Sequence, residues 1–395
     1  MNKRVLVTGF EPFGGRESNA SWQAVSLLPN SIEGWEIVKL CLPVEFDRAA
    51  ALCIERANAC QAVAVVCVGE ASGQEVITPE TTAVNRRTAR IPDNAGARPQ
   101  GEKIDEDGRE ELSSTLPIDD ILAACLDNGL PVALSHTAGE YVCNDLFYQV
   151  VQALGGRVPV GFVHVPLPDK VAAETSAKVL QIAIERTIAL PKVRYMADPC
   201  GESSVSFYKS ESLVVPQGMA IVREDEFDPV LYAHYLDDPY FRLSRSLDGV
   251  QRPALPRGFV LADPALSDFV GQLRSCYKGA PSLPEFKRYR RQPTYQADLW
   301  IAVKDVRSGT IVATAIGELD ERIGELSIEW VQVSNGYRLK GLGSYLVNEL
   351  LYRAQDRATF ATVSGEVANP SHPMALYRRL GFADQVIWHV LTQKE

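Results

Sequence analysis

A chain of 395 residues exceeds what one ordinary hydrophobic core organises, so two domains are expected. A net charge of −10 argues against a general nucleic-acid or anionic-membrane partner. Eight cysteines with no Cys-x-x-Cys pair exclude the usual zinc frameworks, so no metal is expected, and no apolar run reaches transmembrane length.

The opening "MNKRVLVTGFEPFGG" has only a strand-length apolar run before Glu11 and Pro12, so it reads as a first strand and not a signal peptide. Without a secretory segment, reduced thiols in a cytoplasm are expected. "SNASWQAVSLL" predicts a helix capped by Ser18 or Asn19. A strand "WEIVKLCLPV", a helix "FDRAAALCIERANAC" and an all-apolar strand "AVAVVCVG" follow. Cys53 and Cys60 in that helix read as plain core. Residues 74–108, rich in Pro, Gly, Asn and Arg, break the pattern, as functional segments often do. Then come a helix "DDILAACLDNG", a strand "PVALSHTAG", a helix "VCNDLFYQVVQAL", a strand "VPVGFVHVPL" and a long helix over 170–188. This alternation predicts an α/β/α sandwich with a mostly parallel sheet over 1–192.

Composition shifts at 193–210, which reads as a linker to a second domain over 211–395. There "GMAIVRED" predicts a strand, "EFDPVLYAHYL" a helix, and 242–296 a loop-rich stretch. "FKRYRRQ" reads as a solvated face. Three strands, "DLWIAVKDV", "TIVATAIGELD" and "GELSIEWVQV", then lead to a helix "GSYLVNELLYRAQDR", a pattern of an α+β domain with a mixed sheet.

Two seams carry chemistry. Cys143 opens a helix after a strand and the Gly139 turn, where free N–H groups and the helix dipole favour a thiolate. His164 lies near the end of the following strand, at the same sheet edge if the two strands are neighbours, and Glu80 is available to orient its imidazole. The second seam is "YRLKGLGSYLVNELL", where glycines before a helix form an anion cradle.

The motifs "VLVTGFEPFGG…SN", "ITPE…AVN", "ARIPDN", "SHTAGEYVCN" and "GFVHVPLP" together resemble the pyroglutamyl peptidase family over residues 1–190. The resemblance implies a Cys143–His164–Glu80 triad that cuts an N-terminal pyroglutamyl amide without a cofactor. It implies that Phe10 and Phe13 wall the lactam, with Asn19 and Glu70 at polar positions of the site and Arg90 near the oxyanion. The chain departs from the family run Gly-Gln-Ala-Gly-Gly-Arg in "GEASGQ", with Glu70 and Gln74, and Glu140 replaces the usual Thr before "YVCN". These extra acids lead to the expectation of a cationic group on the substrate. Acyl transfer to an amine instead of water is a further reading.

The run from Arg338, followed by "NPSHPMALYRRLGF", resembles the GCN5-related N-acetyltransferase (GNAT) superfamily over 296–383, and more loosely from 211. This implies acetyl-CoA as co-substrate. Val331, Val333, Arg338, Leu339, Gly341, Gly343, Ser344 and Asn369 would lie against it, and Tyr377 would protonate the leaving thiol. Glu329 and Glu325 are candidate bases, and "FKRYRRQ" is a candidate contact for the CoA 3′-phosphate. The expectation is a bifunctional enzyme whose partners are a small-molecule or peptide amide and an amine acceptor, with a homo-oligomer left open. Its alternative is that one half is a ligand-binding regulatory module.

Overall fold

The computed structural model describes residues 3–277 and 279–394. The chain forms two compact units, Met1–Ala197 and Asp198–Glu395. Among the described residues no helix is long and apolar enough to cross a membrane.

The first unit is built on a six-stranded sheet of order β2-β3-β1-β4-β10-β5. Its four central strands, β1 (Arg4–Phe10), β3 (Trp35–Leu42), β4 (Ala64–Glu70) and β10 (Val160–Val165), are parallel. Two short edges, β2 (Ser31–Ile32) and β5 (Thr78–Glu80), run antiparallel. Strand side chains alternate between faces, and both faces are covered. Val5, Val7, Val66, Val68, Val163 and Val165 pack under α1 (Ala20–Leu27), α3 (Ile118–Asp127), α5 (Ala173–Ile188) and α6 (Pro191–Ala197). Leu6, Val65, Cys67 and Phe162 pack under α2 (Arg48–Ala59) and α4 (Val142–Leu154), and Cys53 and Cys60 are core there.

The irregular stretch after β5 is ordered as two small ribbons. β6 (Thr82–Val84) pairs with β9 (Glu111–Ser113), and β7 (Arg87–Thr88) with β8 (Gln100–Glu102). Buried Asn144 of α4 pins them: its carboxamide accepts from Val84 N and donates to Val84 O and Arg86 O, at 2.8–2.9 Å.

"PVALSHTAG" is not a regular strand. It follows β5 in parallel through two isolated bridges, Ile77 to Val132 and Glu80 to Ser135. Pro79 and Pro131 lack the N–H groups that would continue the ladder. The segments before Cys143 and around His164 are therefore not sheet neighbours, because β5, which carries Glu80, lies between them.

The second unit has an eight-stranded sheet, β11-β18-β12-β17-β16-β15-β14-β13. In chain order its elements are α7 (Phe207–Ser210), β11 (Met219–Arg223), β12 (Tyr235–Ser246), β13 (Phe259–Ala262), α8 (Leu266–Cys276) and α9 (Leu283–Tyr289). They continue with β14 (Tyr295–Asp305), β15 (Ile311–Asp320), β16 (Glu325–Val333), α10 (Leu342–Ala354), β17 (Phe360–Glu366), α11 (Pro373–Arg379) and β18 (Ala383–Gln393). Pairing is antiparallel except between β16 and β17. The three predicted strands and their helix are β14, β15, β16 and α10.

Three expectations change here. "EFDPVLYAHYL" is a turn that runs into β12 and not a helix. Pro229 removes an N–H, Asp228 Oδ1 takes the Val230 N–H at 2.8 Å, and Val230 and Leu231 stay exposed, so no apolar face exists to bury. The stretch 242–296 holds the end of β12, all of β13, two helices and the start of β14; α9 opens on a Ser282–Glu285 capping box. The segment 193–210 is folded rather than a linker: Val193 and Tyr195 are buried in α6, and Phe207 N donates to buried Glu325 at 2.9 Å.

Candidate active sites

The first site forms where α4 begins. At the start of α1 the free N–H groups are capped, Ala20 N by Glu70 Oε2 at 2.8 Å and Ser21 N by Asn19 Oδ1 at 3.0 Å. At the start of α4 the N-cap is Tyr141, whose side chain caps nothing, and the N–H groups of Val142, Cys143 and Asn144 have no acceptor among the described residues. Those donors surround the half-buried Cys143. Gly69 of β4 lets the thiol approach the sheet: a Cβ there would lie 2.8 Å from Cys143 Sγ and 2.7 Å from the Phe162 ring. Gly69 is also the register partner of His164.

His164 is buried. Its Nδ1 lies 2.8 Å from Glu80 Oε1, and Thr78 Oγ1 donates to the same oxygen at 3.1 Å. Burial pulls the imidazole pKa down, but hydrogen bonds to Cys143 and Glu80 outweigh it and raise the value to about 9. The three triad candidates thus meet around one imidazole, carried by β5, β10 and α4.

The other candidates divide. Phe13 is half-buried, and its ring stacks at a tilt 5.4 Å from Tyr141, which meets Phe46 edge-on at 5.4 Å. Phe10 is only 2% exposed and lies in the core, so it supports this loop from beneath and is not an exposed wall. Asn19 caps α1 and donates to Glu11 O at 3.0 Å. Arg90 and Gln74 are exposed, and the Arg90 guanidinium has no ion-pair partner among the described residues.

The second site lies where β16 and β17 part. Their parallel register runs only from Glu325–Phe360 to Ile328–Val363, so the rest of β16 has no neighbour on that side. A register shift opposite β15 and a positive φ of 50° at Trp330 mark a bulge. Val331 and Val333 follow it, half-buried. Beyond them Gly341 takes φ +82° as N-cap of α10, where only glycine is unstrained. The N–H groups from Leu339 to Ser344 have no acceptor among the described residues. Leu339 is fully exposed, and Arg338 Nε donates to Val333 O at 3.3 Å. Such a row of unpaired amides at a helix start fits a pyrophosphate. Asn369 turns the chain toward α11 by accepting from Ser371 N at 2.9 Å.

Tyr377 is buried near Phe241 and Phe382, and burial, then the charge of Glu329, pushes its phenol well up. Glu325 is not free to act as a base: it is sealed by Arg242 at 3.3 Å, Thr362 Oγ1 at 2.6 Å and Phe207 N. Glu329 lies 2.7 Å from Lys209 Nζ. "FKRYRRQ" begins within α9, with Phe286 buried and its basic side chains outward.

Comparison with known proteins matches each half of the chain to a family. Residues 3–196 match the family described as pyroglutamyl peptidase, and residues 296–384 match an acetyltransferase (GNAT) domain. The chain is 42% identical over 171 residues to the pyrrolidone-carboxylate peptidase of Enterococcus faecalis, covering 42% of this chain and 80% of that relative. It is 40% identical over 186 residues to the enzyme of Bacillus amyloliquefaciens, covering 46% and 86%. The chain belongs to the pyroglutamyl peptidase family. It is also similar to the crystal structure of Bacillus amyloliquefaciens pyroglutamyl peptidase I, at 36% identity and a TM-score of 0.46, over 48% of this chain and 98% of that one.

Within this pyroglutamyl peptidase unit the unusual acids are already engaged. Glu70 pairs with Arg16 of the β1–α1 loop and caps α1. Glu140 takes the Thr88 hydroxyl at 2.5 Å and lies 3.6 Å from Arg86. Each of the two acids on which the expectation of a cationic substrate group was built thus has a basic partner within the protein. Sequence reasoning missed Arg16, Gly69, Tyr141 and Asn144. Only Gly69, a glycine ending an apolar strand, had a local signal.

Proposed function

We propose that the chain is a bifunctional enzyme, with a cysteine-dependent amidohydrolase acting on N-terminal pyroglutamyl groups and an acetyl-CoA-dependent N-acetyltransferase. The observation that carries the first activity is the bond between His164 and Glu80, with the Cys143 thiol at an uncapped helix start against the same sheet edge. Cys143 gives its proton to His164 and attacks the amide carbonyl. The N–H groups of Val142, Cys143 and Asn144 receive the oxyanion, a contribution on the order of 3 kcal/mol per donor set. His164 returns the proton to the leaving amine, then takes one from water to release the acyl enzyme. Glu80 fixes the ring and its tautomer. Phe13 and Tyr141 offer aromatic faces to a flat lactam.

In the second unit the fit to acetyl-CoA rests on the unpaired amides of Leu339–Ser344 and on the unpartnered half of β16. The co-substrate supplies an activated acetyl thioester. Glu329 accepts a proton from the incoming amine, and Tyr377 donates one to the departing sulfur. A second reading is that this unit senses acyl-CoA without turnover, and the ion pair between Glu329 and Lys209 favours it.

The test is release of a fluorophore from its pyroglutamyl amide by the full chain, with Cys143→Ala as control. A panel of amines with acetyl-CoA tests the other half. Release that survives Cys143→Ala removes the nucleophile; acyl-CoA binding without transfer to any amine selects the sensor.

A further inference from the structure

The second site already holds an ammonium of the chain itself. Glu318 of β15 and Glu329 of β16 bracket one ammonium, that of Lys209 on α7, at 2.9 and 2.7 Å. Ser327 Oγ donates to Glu329 Oε1 at 3.0 Å and holds that carboxylate in place. Both acids fall inside the region that matches the acetyltransferase domain, whereas Lys209 comes from outside it. The lysine side chain is 32% exposed, α7 is a four-residue helix, and residues 211–217 after it are exposed. The Lys209 side chain is therefore partly open to solvent, although the Glu318 Oε2 that its ammonium meets is buried; in the Arg242–Glu325 pair on the same sheet both side chains are closed off, at 2% and 1% exposed.

Glu329 immediately precedes the Trp330 bulge, on the half of β16 that β17 has left, and its charge reaches Tyr377. A base has to be within hydrogen-bond reach of the proton it takes. An acceptor amine that gives its proton to Glu329 Oε1, the oxygen facing Glu318 across the Lys209 ammonium, takes the place of that ammonium. Resting on the acetyltransferase reading above, we infer that Lys209 is an internal stand-in for the acceptor: the subsite takes a primary alkyl ammonium between Glu318 and Glu329, and Lys209 withdraws before one binds. In the transfer the amine N–C bond forms as the thioester C–S bond breaks. The bound ammonium first gives one proton to Glu329 and becomes the neutral amine that attacks; the departing sulfur takes the Tyr377 proton, and the second nitrogen proton restores the Tyr377 phenol.

A site occupied by its own side chain binds an outside ligand more weakly by the fraction of time it is open. The test uses the full chain, without CoA, and butylamine as the probe in calorimetric titration. Lys209→Met is expected to bind butylamine about tenfold more tightly than wild type, as for a stand-in present roughly nine-tenths of the time. Adding Glu329→Gln to that variant is expected to abolish the gain. With acetyl-CoA present, the KM for butylamine should fall by the same factor without loss of kcat. Equal affinities in wild type and Lys209→Met overturn the inference, as does a lower kcat at unchanged KM, which marks Lys209 as mere support for Glu329. Lys209→Gln repeats the measurement should the methionine variant not fold. A protein that binds acetyl-CoA but acetylates no amine overturns the underlying acetyltransferase reading instead.

Discussion

His164 is the residue on which the first site turns, and its environment makes pH a direct probe. The imidazole value is raised from 6.5 to about 9 in the folded protein, against burial, by Cys143 and Glu80. A raised value means that the folded state holds the proton more tightly. The stabilisation is therefore fully present below about 6.5 and is lost as pH climbs through about 9. At most it amounts to about 3 kcal/mol. Urea denaturation from pH 6 to 10 should show this decline, and Glu80→Gln should shift its upper end to lower pH. The same variant should lower kcat by roughly 10²–10⁴-fold, because the imidazole loses its orienting carboxylate. Glu70 makes the opposite prediction. Its carboxylate serves Arg16 and the start of α1, so Glu70→Gln should cost about 1 kcal/mol in denaturation and leave substrate preference among pyroglutamyl amides unchanged. A changed preference would restore the acid to the substrate pocket.

At the level of elements, what could be read early follows from how far each signal travels along the chain. The α/β/α sandwich was legible because its strands are apolar runs and its helices have regular apolar spacing. The residues gathered around His164, Glu80 and Cys143, were legible because each sits inside a local motif. The partner of Glu70 was not, since Arg16 lies 54 residues away and no pattern links them. β12 was hidden for the same reason: it is held by β17 and β18, with Tyr240 reaching Glu366 across 126 residues. Gly69 shows how tightly β4 and α4 are matched at the site. A methyl group in Gly69→Ala would press on Cys143 Sγ and on the Phe162 ring, so the thiol or the strand must shift. A destabilisation of about 1–3 kcal/mol is expected. Hydrolysis should fall by more than stability alone explains, measured as kcat at a temperature where the variant is fully folded.

Over the whole molecule, each unit encloses its own hydrophobic cores, two in the first and two in the second. That makes the position of the boundary a physical quantity that can be measured. Composition put the end of the first domain at residue 192, ahead of a linker. The structure carries the first unit to Ala197, and the five additional residues are not passive. Val193, Tyr195 and Ala197 are 0%, 2% and 3% exposed, and Val193 and Ala197 pack in the core cluster beneath α1 and α5. Burying a valine or a tyrosine of this kind stabilises by roughly 1.5–3 kcal/mol each. A chain ending at residue 192 loses both and exposes the apolar surface they covered. A chain ending at residue 197 keeps them. The longer fragment should therefore unfold cooperatively and retain pyroglutamyl amide hydrolysis. The shorter one should lie about 3–5 kcal/mol lower in stability, a large share of what a domain of this size possesses, and should aggregate or lose activity near 37 °C. Equal urea midpoints for the two fragments would mean that α6 is packed against the first unit without stabilising it.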